Sequence, residues 1–194
     1  MGLYKVSGLV LFIGSVLFAA AAFSPVSQVF GARDIEKKVE ILTGAPTQWV
    51  ISQILFGLGA VVTALGIGFL AAALTNATAS RLLWLAMSLL LVGAAFWSWH
   101  VGLRALDPIA FAQGEFPHWN FAVYSVLTQI GFVLVGIAIL KTDLASWSGW
   151  MLIIGMSAFF VLMVIFRDMP PFVYYLLTAI VGVVVYQSGS AGPS

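Results

Sequence analysis

Polar side chains that could bind a ligand or transfer a proton collect in a few places along an otherwise apolar chain. His118, Ser125 and Gln129 recur at i, i+7 and i+11, which places them on one stripe of a helix. Imidazole, hydroxyl and amide groups arranged in this way can hydrogen-bond a polar molecule and fix its orientation. The predicted ligand-binding residues are Gln53, His100, Arg104, His118, Asn120, Tyr124, Ser125 and Gln129.

These side chains need elements that position them, and six charge-free runs occupy most of the chain. Each run except the last comfortably reaches about 20 apolar residues, the length of a helix that crosses a bilayer. The runs lack the alternation of membrane strands, so the chain is predicted to be an all-α bundle of six transmembrane helices. The predicted spans, within a single domain of residues 1–194, are residues 6–23, 49–74, 82–103, 118–140, 146–166 and 170–186, and residues 188–194 are predicted to be a disordered tail.

Composition supports a membrane location and limits the kinds of molecule that the protein could bind. Apolar residues make up 62% of the chain and charged residues 8%, with a mean hydropathy of +1.09, whereas soluble proteins average about 25% charged residues. The formal net charge of +1 comes without a basic stripe, which argues against nucleic acid. The partners predicted are the lipid bilayer, a small-molecule ligand, and a membrane protein or a second copy of the chain.

The predicted spans divide the connections between two membrane surfaces. Side A, which holds the N-terminus, receives the short segments 75–81 and 141–145. Side B receives the longer segments 24–48 and 104–117 and the turn 167–170. Side B carries more of the lysines and arginines, so the positive-inside rule places it in the cytoplasm, by a small margin. All seven tryptophans fall near predicted span ends, as is typical of residues at the headgroup level.

Segment 24–48 contains the pattern of a short amphipathic helix. Ile35, Val39 and Leu42 recur at i, i+4 and i+7 among charged residues, and Gly44 and Pro46 provide a stop signal. Such a helix is predicted to lie flat on the membrane interface.

Two further patterns concern the first and second spans. Lys5 followed by an apolar run and the alanines at 19–22 imitates a signal peptide, but the run exceeds the usual 7–15 residues, so an uncleaved first span is predicted. In the second span Ala60, Ala64 and Gly68 are spaced by four, and Ala72 continues the series. Small residues in this pattern let helices approach closely, either inside the bundle or between two copies, and the internal contact is favoured.

The polar stripe of the fourth span has two interpretations. At ~1.5 Å per residue, Gln129 lies about 16 Å below His118, roughly halfway through a ~30 Å hydrocarbon core. Exposing such a stripe to lipid would cost free energy, so it is expected to face other helices or a water-filled cleft. Hydrogen bonds between helices would need no ligand, whereas a cleft opening to side B would bind one. Because no predicted span carries a carboxylate or lysine at its centre, an ion-coupled pump is disfavoured.

The histidines allow a third possibility. His100 lies one turn before Arg104, and Asp107 and Glu115 precede His118 in the following loop. Imidazole and carboxylate groups could act as acid and base, or hold a metal ion or a single haem. Neither an H-x-x-x-H nor an H-E-x-x-H pattern occurs, so no metal site, no cofactor and no catalytic residue is predicted.

The layout resembles that of small six-span membrane proteins of bacteria with no assigned activity. The likeness rests on residues 24–25 (Ser-Pro), 45–49 (Ala-Pro-Thr-Gln-Trp) and 169–175 (Met-Pro-Pro-Phe-Val-Tyr-Tyr) and on a Gly-rich second span. The resemblance implies a bacterial plasma-membrane location and an N-terminus inside the cell, opposite to the orientation that the basic residues favour. It implies no catalytic residue.

These patterns together predict a polar cleft formed by spans two, three, four and six and capped by segments 24–48 and 104–117. The predicted function is non-enzymatic: binding, sensing or passage of a small amphipathic or neutral molecule. Two alternatives stay open, a membrane enzyme with a His/Asp/Glu site at the surface of segment 104–117 and an accessory subunit of a larger membrane complex.

Overall fold

A computed structural model describes residues 2–166 and 171–189. These residues form eight α-helices and one 3₁₀ helix, Pro25–Phe30, with no β-strand among them. The α-helices are α1 (Leu3–Ala22), α2 (Ile35–Gly44), α3 (Pro46–Ala73), α4 (Ala77–Leu106), α5 (Pro108–Gln113), α6 (Trp119–Ile139), α7 (Ser146–Phe166) and α8 (Phe172–Ser188).

Five of these helices, α1, α3, α4, α6 and α7, are long and apolar enough to cross a bilayer. They coincide with the first five predicted spans to within a few residues at each end. The chain is therefore an all-α, multi-pass membrane protein. The sixth predicted span corresponds to α8, a shorter apolar helix of 17 residues. The predicted turn 167–170 and residues 190–194 of the predicted tail lie outside the described residues.

The long helices pack side by side in the order α8, α1, α3, α4, α6 and α7, and a smaller contact between α7 and α8 closes the ring. The helix α8 runs antiparallel to α1 along its whole length. At one end the rings of Phe23 and Phe172 lie 5.4 Å apart. At the other end Gly189 contacts Tyr4 and Lys5.

Glycines allow the closest of these contacts. A Cβ atom at Gly8 of α1 would lie 2.5 Å from the carbonyl oxygen of Gly182 in α8, and one at Gly136 of α6 would lie 2.7 Å from that of Gly149 in α7. These helices can therefore approach only because a side chain is missing at the crossing point.

The small-residue stripe of the second predicted span lies mostly inside the bundle. Ala60 and Ala64 are buried, and Gly68 faces the Met87 sulfur of α4. Ala72 is exposed, so the predicted internal contact covers three of the four residues.

Three short helices cover the side B end of the bundle. The predicted amphipathic helix is present as α2, and it ends at Gly44, as the stop signal predicts. Its Leu42 is buried, whereas Ile35 is 52% exposed. The apolar face packs on the protein's own loops, in a cluster formed by Val26, Val29, Leu42, Trp49 and Ala112. This cluster joins segments 24–48 and 104–117 into one unit at this end of the bundle, called the cap below.

The tryptophans fall into two groups. Trp84, Trp99, Trp119, Trp147 and Trp150 are about half exposed, in keeping with the predicted headgroup positions. Trp49 and Trp97 differ from these five, because they are only 1% and 2% exposed. Their positions near helix ends set their depth, but both rings point into the bundle, where they pack against other aromatic rings.

Candidate functional site

Aromatic rings fill the centre of the bundle in its side B half. Phe18 of α1 stacks on Tyr175 of α8 with ring centroids 3.7 Å apart, and Trp97 of α4 stacks on Tyr124 of α6 at 4.6 Å. The two tyrosine hydroxyls lie 3.0 Å apart in a buried hydrogen bond. Four helices that are distant in sequence thus meet at one polar point within an aromatic core.

Gln129 lies deeper, on the same face of α6 as Tyr124 and Ser125. It is 4% exposed, and its amide Nε2 donates to the hydroxyl of Tyr174 in α8. The same Nε2 also donates to the Met163 sulfur at 3.7 Å, whereas the Gln129 carbonyl oxygen is buried without a hydrogen-bond partner. The Ser125 hydroxyl lies close to the Tyr174 hydroxyl but does not meet strict hydrogen-bond geometry. The predicted stripe of α6 therefore faces other helices, and the acceptor of the Gln129 amide is left unsatisfied.

His100 and Asn120 form the least satisfied part of this region. The His100 imidazole lies beside the Asn120 amide and between the rings of Trp97 and Phe121. Both side chains are at most 2% exposed. By strict hydrogen-bond geometry, neither imidazole nitrogen and neither amide heteroatom has a partner in the described part of the chain, although the two side chains lie close enough for one bond between them. Buried polar groups normally have a partner in the protein, in water or in a ligand, and one mutual bond would still leave two of these four positions open.

Arg104 lies one helical turn above His100, beneath the cap. Its guanidinium carbon is 4.8 Å from the ring centroid of Phe111, 5.5 Å from that of Phe30 and 5.6 Å from that of Trp97. Within residues 2–166 and 171–189 no carboxylate forms an ion pair with it, and its Nε atom is buried without an acceptor. Trp49 fixes the backbone here, because its indole donates to the Arg104 carbonyl at 2.8 Å.

Gln53 belongs to a neighbouring surface. It is 1% exposed, and its amide donates to Ser52, while its carbonyl oxygen has no partner among the described residues. Gln53 also lines an apolar groove of about 320 Å³ between α3 and α4. The other residues of this groove are Ile54, Gly57, Leu58, Val61, Ser98, Val101, Gly102 and Ala105.

A second cavity, of about 730 Å³, opens at the side A end of the bundle. It is more polar than the groove, and its lining residues include Tyr4, Asn76, Lys141 and Asp143. The Asn76 amide donates to the Lys141 carbonyl at 3.0 Å, which ties the two side A hairpins together. Most buried side chains between this cavity and the aromatic core are apolar, among them Leu83, Phe132 and Val181, and the buried hydroxyl of Ser7 donates to the Gly66 carbonyl.

The acid and base groups in and around segment 104–117 differ in burial. His118, Asp107 and Glu115 are exposed, whereas His100 is buried. Asp107 instead caps α5, since its carboxylate accepts the backbone N–H of Ala110 at 2.9 Å. No group of three or more His, Asp or Glu side chains that could hold a metal ion occurs in the described part of the chain.

His118 also leaves the predicted stripe. Ser125 and Gln129 are buried, but His118 precedes the first residue of α6 and is exposed. His118 keeps helical backbone angles, so its exposure reflects its place at the open end of α6, above the buried part of the stripe.

The sequence did not identify all the residues that shape this region. Tyr174 and Tyr175 are not among the predicted ligand-binding residues, and their pairing with Gln129 and Tyr124 depends on α8 packing as one helix of the ring. Phe30 and Phe111 carried no signal, because nothing in an aromatic residue of a loop indicates that it will contact an arginine.

Comparison with protein families, curated proteins and solved structures finds no match to this chain. The assignment of a function therefore rests on the site itself.

Proposed function

We propose that this protein binds a small amphipathic or neutral molecule in the side B half of its bundle, in order to sense it or to pass it on. The residues proposed to contact the molecule belong to α4, α6 and α8, and Gln53 adds a contact from α3. The cap formed by segments 24–48 and 104–117 would close over the bound molecule.

The observation that carries this proposal is the concentration of partnerless buried polar atoms in one half of the bundle. Leaving a buried donor or acceptor unsatisfied costs about 1–3 kcal/mol, so a purely structural core would favour apolar residues here. The partnerless atoms in this half are Gln53 Oε1, Trp97 Nε1, His100 Nδ1 and Nε2, Arg104 Nε, Asn120 Nδ2 and Oδ1, Ser125 Oγ and Gln129 Oε1. Two further hydroxyls without a partner, those of Ser15 and Thr63, belong to α1 and α3, near the crossing of these helices at Gly14.

The proposal includes α8 as a sixth span, with both termini on one side of a bacterial plasma membrane. At ~1.5 Å per residue α8 is about 25 Å long, slightly short of the hydrocarbon core. Its antiparallel contact with the whole of α1 supports a crossing, because α1 is itself long enough to span. The surrounding lipid bilayer and a protein partner would cover the exposed apolar faces, of which Ile154 and Ile165 on α7, each 63% exposed, are examples.

Asn120→Leu tests the proposal. Replacing a partnerless amide with an apolar side chain of similar shape is expected to leave stability unchanged or to raise it. If the amide serves a ligand, the same change removes ligand binding. Protein purified from membranes in mild detergent is extracted and analysed by mass spectrometry, and its unfolding temperature is measured in parallel.

We expect one small molecule to co-purify with the wild type and with Ser88→Ala, and to be absent from Asn120→Leu. Ser88 is a suitable control because it lies on α4, is exposed, and bonds only the backbone of its own helix. Identical extracts from all three proteins would contradict the proposal, whatever the unfolding temperatures.

A further inference from the structure

The side A cavity lies at the opposite end of the bundle from the proposed site. Its walls come from the first turn of α1, the end of α8 and the hairpin segments 74–76 and 141–144. These elements belong to helices on every side of the ring, so the cavity lies near the axis of the bundle. Its volume of about 730 Å³ is within the usual range for ligand pockets, about 300–1,000 Å³.

Some polar groups of the wall hold the two hairpins in place. The Asn76 carbonyl oxygen accepts two backbone N–H groups at the start of α4, while its amide nitrogen donates to the backbone carbonyl of Lys141. The Thr142 hydroxyl bonds one backbone group on either side of it. These bonds fix the backbone that carries the side chains of Lys141 and Asp143.

Lys141 and Asp143 bring opposite charges to the wall of this cavity. Both are exposed, and they do not pair with each other, because the one ion pair within residues 2–166 and 171–189 joins Lys37 to Glu40. No backbone N–H in the same residues donates to the Asp143 carboxylate, whereas the carboxylate of Asp107 caps α5. The known bonds of the hairpins therefore leave both charges available.

The position of Asp143 is unusual in a second way. It is the only acidic residue that the sequence places on side A, where Lys5, Arg81 and Lys141 supply the basic residues. Its carboxylate is also within electrostatic reach of the Tyr4 hydroxyl, which lines the same cavity. The cavity thus combines a cation, an anion and a phenol in one wall.

We propose that the side A cavity binds a small zwitterion that carries an ammonium group and a carboxylate, as free amino acids do. The carboxylate would pair with Lys141 and the ammonium group with Asp143, and the Tyr4 hydroxyl would offer a further hydrogen bond. A simple anion or cation would match only one of the two charges and would be repelled by the other.

The position of the cavity favours a water-soluble molecule over a lipid head group with the same charges. The ends of α1 and α8 and both hairpins surround the cavity, so the acyl chains of a lipid would have to pass between packed helices to reach the bilayer. On the inner side, buried apolar residues such as Leu83, Phe132 and Val181 fill the bundle. The zwitterion would therefore be bound at the side A surface.

The test measures binding to the full chain in nanodiscs of phosphatidylcholine. The probes are the standard L-amino acids, each tested by saturation-transfer NMR, and the dissociation constant is determined for those that bind. For each of these, the N-acetyl derivative lacks the ammonium charge and the amide derivative lacks the carboxylate. We expect at least one amino acid to bind, and each derivative to bind about tenfold more weakly, the ratio for one charge-assisted hydrogen bond.

Two variants assign each charge of the probe to one residue. Asp143→Asn should weaken binding of the amino acid about tenfold and leave binding of its N-acetyl derivative unchanged. Lys141→Gln should have the same effect with the amide derivative. A role in folding alone would weaken all probes alike. Arg81→Gln is the matched control, because Arg81 is an exposed basic residue of side A that does not line the cavity.

Several results would overturn the proposal. These are the absence of binding by every amino acid, binding that both variants leave unchanged, and equally tight binding of acetate or methylammonium alone. Displacement of the amino acid by phosphatidylethanolamine in the nanodiscs would assign the cavity to a lipid head group instead. Asn120→Leu should leave amino-acid binding unchanged, since Asn120 lies in the side B half, so this proposal and the proposed function can fail independently.

Discussion

The hydroxyl groups of Tyr124 and Tyr175 lie 3.0 Å apart at the centre of the bundle, although the two residues are 51 positions apart in sequence. Each ring also stacks on a third helix, Tyr124 on Trp97 and Tyr175 on Phe18. This pair joins α6 to α8 and therefore fixes the position of the shortest apolar helix. It also forms the floor beneath the partnerless groups of His100 and Asn120.

Removing this hydrogen bond should lower the free energy of unfolding slightly, and the effects of the two substitutions should be coupled. We expect Tyr124→Phe and Tyr175→Phe each to lower the free energy of unfolding by about 1 kcal/mol, because each leaves one buried hydroxyl without its partner. The double variant should cost less than the sum of the two, with a coupling of about 0.6 kcal/mol. Reversible unfolding in detergent measures the free energy of unfolding of the wild type, the two single variants and the double variant. If the losses of the two single variants add up to that of the double variant, the two hydroxyls do not interact.

Single-cysteine labelling can establish the membrane topology, because the chain contains no cysteine. With six crossings, cysteines placed at Thr75, Lys141 and Ser188 should react with a membrane-impermeant maleimide from the same side. Cysteines at Gly31 and Gln113 should react only from the opposite side. Reaction of the Ser188 position together with Gly31 would show that α8 does not cross, and the span count would fall to five. The same experiment in intact cells decides which surface is cytoplasmic.

The contact between α1 and α8 should tolerate no side chain at its crossing point. Gly8→Ala would bring a Cβ atom to 2.5 Å from the backbone of α8. We expect a loss of about 1–3 kcal/mol in unfolding free energy, as for overpacked cores. Gly102→Ala is the matched control and should be neutral or stabilising, since a Cβ atom there has open space. Equal effects of the two substitutions on the unfolding temperature would argue against the close approach of α1 and α8.

Asp107 distinguishes a structural role from a catalytic or metal-binding one. As the cap of α5, its carboxylate can be replaced by an amide, so Asp107→Asn should retain most of the stability. Asp107→Ala should lose about 1 kcal/mol of it. Hydrogen exchange of the α5 amides measures the capping role, and elemental analysis of the purified protein measures bound metal. Stoichiometric zinc that disappears in both Asp107→Asn and His118→Ala would instead support the membrane enzyme.

Hydropathy alone predicted the five long helices, because the length and polarity of a crossing segment are imposed by the bilayer. It also predicted α2, since the spacing of Val39 and Leu42 is a local property. The direction in which a side chain points around the bundle depends on which helices are neighbours, and one sequence does not contain that information. Trp97 and Trp99 illustrate this: they are two residues apart at similar depth, yet one is buried and the other is 51% exposed.

The candidate site was predictable in depth and composition but not in its internal contacts. Asn120, Ser125 and Gln129 are buried in the half of the bundle where the sequence placed them. The arrangement around Arg104 was not predictable, because Phe30 and Phe111 reach it from two loops that meet only through the packing of Leu42 and Ala112. Contacts between loops depend on where the flanking helices lie in the fold, and the periodicity of the sequence does not contain that information.

An experimental density map of the protein purified from its native membrane tests the central claim most directly. A binding site in the side B half predicts density for a non-protein molecule within hydrogen-bond distance of His100 or Asn120. A map in which Asn120, His100 and Gln129 are satisfied entirely by one another and by protein backbone, with no further density beneath the cap, would contradict it.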